Sequence, residues 1–199
     1  MINRACYTTL FGFLFLPSTA LAHVPIEGIN NFYNGMLHPV LVPSHLLLLI
    51  ATGLFIGQQG IAENLGAFVV FLVATVVGLV VAWFSIELNL EVMLLCFAVI
   101  TGILIAINPV VSLLGCSLIA ALVGFSLGAD SGQVAMSGKE KLATLFGSGV
   151  GIYLLLLYPM GLVDRFNRKA WQKIGVRVIG SWLAAASFMV IALSFSNRP

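Results

Sequence analysis

The chain has 199 residues, of which 60% are hydrophobic and only 8% charged. A soluble domain carries about 25% charged residues to clothe its exterior, so a water-exposed globule is excluded and lipid must solvate much of the surface. A formal net charge of +2, with no basic stripe among aromatics, excludes a nucleic-acid partner.

The first 22 residues, MINRACYTTLFGFLFLPSTALA, have the parts of a secretory signal. Arg4 gives the positive start, Tyr7 to Leu16 the short apolar run, and Ala20-Leu21-Ala22 the small-x-small cleavage site. The alternative is a retained first membrane helix, although the apolar run is shorter than the ~20 residues a span needs. Cleavage would make His23 the mature amino terminus, where its α-amine and ring nitrogen could chelate a divalent ion together. A terminus is otherwise simply hydrated.

After a polar stretch from His23 to Leu37, apolar segments predict six spans at about 39–58, 64–84, 90–107, 109–129, 142–162 and 175–195. Each is near the length that crosses a bilayer, and the breaks carry turn residues such as Gln58-Gln59-Gly60 and Asn108-Pro109. The expected architecture is an all-α integral membrane protein, a six-helix transmembrane bundle after a cleaved signal peptide. Residues 23–199 form its single membrane domain. Gly53 with Gly57, Gly124 with Gly128, and Gly147 with Gly151 are spaced for close helix packing. Packing inside one subunit explains them, and an oligomer contact stays open.

The loop DRFNRKAWQKIGVR carries Arg165, Arg168, Lys169, Lys173 and Arg177 against Asp164. Positive loops stay cytoplasmic, which places both mature termini outside the cytoplasm, in a bacterial inner membrane.

Chemistry is expected where polar groups enter apolar segments, because each is costly in lipid. In HPVLVPSHLLLLIATGLFIG, His38 and His45 are seven apart, two turns of a helix, hence on one face if it is continuous. Pro43 between them could kink or delay the helix start. Imidazole suits nickel, cobalt, copper or zinc; the plainer reading is two histidines bonded to water or backbone at the interface. Glu63, Glu87, Glu91 and Asp130 fall at span ends, where carboxylates are ordinarily solvated. His38, His45, Glu91 and Asp130 nevertheless all map to the outer half. Cys6, Cys96 and Cys116 form no CxxC pattern, and no GxSxG, nucleotide loop or HExxH is present. An enzyme is not expected, nor is a tightly bound cofactor.

His38 to Gly57 resembles the HupE/UreJ family of small membrane proteins, regarded as nickel or cobalt permeases. The family's H-P-x-x-G-x-D-H element is matched by His38, Pro39, Val42, Ser44 and His45, followed by Thr52-Gly53-Leu54 and Gly57. ELNLEVMLLCFAVITGILIA resembles its glutamate-led third span, with Glu91 as the acid. The resemblance covers nearly the whole chain and implies Ni2+ or Co2+ as a transported ion. Ser44 replaces the family's aspartate. Val123-Gly124-Phe125-Ser126-Leu127-Gly128-Ala129-Asp130 stands for an H-G-x-A-H-G-x-E element without its histidines, and Ser148 replaces a further one.

The implied metal residues are His38, His45, His23, Glu91 and Asp130, and the implied pathway is Ser44, Thr52, Asn108 and Ser148. The alternative is an accessory or partner-binding membrane protein that keeps the scaffold without conducting.

Overall fold

The computed structural model describes residues 28–84, 88–132 and 138–196. The signal segment, His23 and Glu87 lie outside them. Among the described residues seven helices follow in order: α1 Asn31–Leu41, α2 Pro43–Gln58, α3 Leu65–Trp83, α4 Glu91–Ile107, α5 Leu113–Asp130, α6 Gly138–Phe166 and α7 Ala170–Ser196. No strand occurs among the described residues.

Four helices, α3, α5, α6 and α7, are long and apolar enough to cross a membrane, and α1 with α2 makes a fifth if the bent pair counts as one span. The apolar α4 has 17 residues. Their outer faces are greasy: Val69, Val73, Val76, Val77 and Val80 of α3 are all exposed. Only 17% of the most apolar window of α7 is buried. Lipid is the solvent that makes such a surface stable. The molecule is a multi-pass helical membrane protein.

The first span differs most from expectation. It is a helix pair bent by 74°, not one rod over 39–58. The sequence explains the break. Pro43 has no amide hydrogen to continue the ladder of α1, and a residue before proline is pushed toward extended backbone. Val42 accordingly has φ −90° and ψ 111°, and its N–H closes α1 on the His38 carbonyl at 3.1 Å. Pro43 then starts α2 at its first position, where a missing N–H costs nothing.

Helix α1 begins inside the polar stretch because Asn30 caps it, its side-chain oxygen accepting the Phe32 N–H at 3.1 Å. Three other helices differ from expectation in their bounds. Helix α5 starts at Leu113, since Asn108 takes a left-handed conformation (φ 56°) and Pro109 follows. Helix α6 runs 138–166 and α7 170–196, each longer than the expected 142–162 and 175–195, which shortens the loop before α6.

Helices pair through glycine. Gly53 and Gly57 of α2 face α6, where a Cβ on Gly53 would lie 2.6 Å from the Leu156 carbonyl oxygen and one on Gly57 would overlap that of Met160. Gly147 and Gly151 of α6 meet the Phe32 and Met36 carbonyls of α1. Gly124 and Gly128 of α5 meet those of Phe71 and Thr75 in α3. Small residues let backbones approach where lipid gives no hydrophobic drive. The core between them holds Leu48, Phe55, Phe71, Leu94, Leu127 and Ile152.

Candidate functional site

A straight helix would separate residues 38 and 45 by roughly 10 Å along its axis. The bend at Val42 removes that separation. The His38 and His45 rings stand edge to face, with centroids 5.1 Å apart and planes at 83°. His38 sits in the last turn of α1 and His45 in the first turn of α2, on two helices and not on one continuous face. Both are buried, His38 at 3% and His45 at 0% exposure.

Asp130, the last residue of α5, completes the group. His45 Nε2 lies 2.9 Å from Asp130 Oδ2, and the aspartate is 12% exposed. The other ring nitrogen, His45 Nδ1, is buried with no hydrogen-bond partner among the described residues, and so is the Ser44 hydroxyl. A buried polar atom left without a partner costs about 1–3 kcal/mol, and here two such atoms belong to neighbouring residues.

The remaining expected residues lie elsewhere. Glu91 is exposed in the first turn of α4. Among the described residues, no three His, Cys, Asp or Glu side chains are grouped so as to hold a metal ion. Thr52 gives its hydroxyl to the Leu48 carbonyl of its own helix at 2.8 Å. Ser148 gives its hydroxyl to the Gly35 carbonyl at 3.2 Å, tying α6 to α1. Asn108 is exposed at the far turn. Lys141, which the sequence did not mark as a candidate, is buried near the start of α6, at the same end of the bundle as Asp130. A cavity of about 350 Å³ between α3 and α6, lined by residues including Leu72, Val76, Phe146 and Tyr153, is largely apolar.

At the opposite end polar side chains brace backbone. Gln59 donates to the Pro109 carbonyl at 2.9 Å and accepts the Val111 N–H at 3.2 Å. Arg177 Nε donates to the Ala106 carbonyl at 2.7 Å, and Asp164 accepts the Ile61 N–H at 3.2 Å. The sequence marked Gln59 only as a turn residue and did not mark Gly35, and the partners of both are far along the chain.

Fold and site define a helical membrane protein with a buried imidazole pair at one end of its bundle. A family model described as HupE / UreJ protein matches residues 11–190, and the chain belongs to that family. No curated protein sequence and no solved structure matches it.

Proposed function

We propose that the chain is a secondary permease or channel for a divalent transition metal, nickel or cobalt, taken up at the bend between α1 and α2. The observation that carries this is the buried His38–His45 pair, with His45 Nδ1 and the Ser44 hydroxyl beside it lacking partners among the described residues. Nitrogen and hydroxyl donors suit borderline divalent ions. The association of the HupE/UreJ family with nickel or cobalt transport, and with urease or hydrogenase maturation, supports the same ion class. With α4 counted, the bundle makes six crossings. The exposed Arg165, Arg168, Lys169 and Lys173 flank the α6–α7 turn, so the positive-inside rule sets that end in the cytoplasm of a bacterial inner membrane. The imidazole pair then opens outward.

The purified protein in liposomes should accumulate nickel saturably, and His45→Ala should abolish this. Wild-type liposomes no more permeable to nickel than empty ones would refute the proposal.

A second reading rests on a different observation. Beyond the bend, the hydroxyls of Thr52 and Ser148 are already bonded to backbone, and ion routes ordinarily carry charged or ring donors at depth. A protein that binds the metal and serves a partner without conducting fits that interior. Nickel binding with no uptake would select it.

A further inference from the structure

We infer that Asp130 is a positioning residue that holds the His45 ring with Nδ1 facing the ion, while itself staying outside the ion's ligand shell. The inference rests on the metal-site reading and assigns Asp130 a different part from the ligand role that the sequence suggests.

The geometry is specific. Asp130 reaches His45 at Nε2, not Nδ1, at 2.9 Å. An ionised carboxylate only accepts hydrogen bonds, so a neutral imidazole in this pair must carry its proton on Nε2. Its lone pair then lies on Nδ1, the atom buried without a partner among the described residues. Ser44, preceding His45 at the start of α2, adds a buried hydroxyl that is likewise unspent. One nitrogen is thus occupied by the carboxylate and the other is left over for a ligand. A metal-bound histidine commonly donates its second N–H to a carboxylate, which fixes its tautomer and strengthens the donor nitrogen.

The placement of Asp130 argues against a role in helix stability. It ends α5, where the helix dipole is negative and a basic residue is the favoured choice. A local rule broken without local benefit points to function. The bond also spans distant parts of the chain, joining the first turn of α2 to the last turn of α5. It therefore orients the ring from a helix that packs little against α2, its main partner being α3.

Nitrogen and proton NMR of ring-labelled histidine in the full-length, metal-free protein tests this, alongside nickel titration. Wild type should show His45 protonated at Nε2 only, with that proton strongly deshielded by the carboxylate. Asp130→Asn should remove the deshielding and weaken nickel binding by about 10–100-fold. Asp130→Glu should restore both in part, and His45→Ala should eliminate binding. Nickel X-ray absorption should give wild type and Asp130→Asn the same set of ligand atoms.

Protonation of wild-type His45 at Nδ1, or an unmoved Nε2 proton in Asp130→Asn, would overturn the inference, as would loss of an oxygen ligand in that variant. Failure of the two ideas can be told apart. A carboxylate-dependent Nε2 proton in a protein that binds no nickel upholds the positioning and defeats the metal reading. Tight nickel binding that ignores Asp130 does the reverse.

Discussion

Two proline-marked breaks in the bundle are treated in opposite ways. At Asn108-Pro109, the turn between α4 and α5 is clamped by both ends of the Gln59 amide. The neighbouring Ala106 carbonyl is held by Arg177. At Val42-Pro43 the backbone is closed on the His38 carbonyl, yet His45 Nδ1 and the Ser44 hydroxyl beside it are left without partners among the described residues. Apart from the buried Gln58 Oε1, which has no partner among the described residues, side chains brace the first break as architecture. The unsaturated one, kept at a cost of about 1–3 kcal/mol per buried group, is where the proposed ion would find its donors.

Substitutions can sharpen or break this contrast. The largest effect is expected from Gly147→Val, because a side chain there would overlap the Phe32 carbonyl and lever α1 from α6. Thermal unfolding in detergent should show a loss of about 3 kcal/mol, with nickel binding lost together with the position of His38. Gln59→Ala should come next. Removing both bonds to the α4–α5 turn should cost about 1–2 kcal/mol while nickel affinity stays unchanged, since the clamp is remote from the pair. Weakened nickel binding in this variant would erase the distinction between the two breaks.

Ser44→Ala should behave the other way. Stability should hold or rise, because an unspent buried hydroxyl is removed, while nickel affinity should drop about fivefold, the worth of one hydrogen bond or weak ligand. An unchanged affinity would mean that the hydroxyl faces no ion. The smallest effect belongs to Thr52→Val. That hydroxyl bonds only within its own helix, so stability should move by about 0.5 kcal/mol or less, and nickel uptake should be unaltered. Slowed uptake would place Thr52 on the ion's route after all.

The sequence made some of this legible, and the reasons are physical. The α3 span, expected at 64–84 and found at 65–83, is an unbroken apolar run between turn residues, and hydrophobic length alone defines it. His38 and His45 stand out because imidazole is rare in such runs. Their meeting across a bend was not legible: Pro43 announced a disturbance, but the 74° angle depends on the seat that Gly147 and Gly151 provide for α1. The Asn30 cap that starts α1 was a readable signal obscured by the polar residues around it. The pairing of His45 with Asp130, 85 positions apart, could not be reached from spacing at all. Glu91 looked equivalent to Asp130 by position, yet its helix leaves it exposed.

The bend has a consequence for the speed of capture. Because Pro43 and the seat on α6 fix it, the bend already holds the two imidazoles together in the folded chain, and the cation proposed above would need no chain rearrangement to meet them. Little conformational entropy remains to be lost at that moment. The slow event should instead be the stripping of water from the cation itself, so capture rates should follow the hydration of the ion more than any motion of the protein.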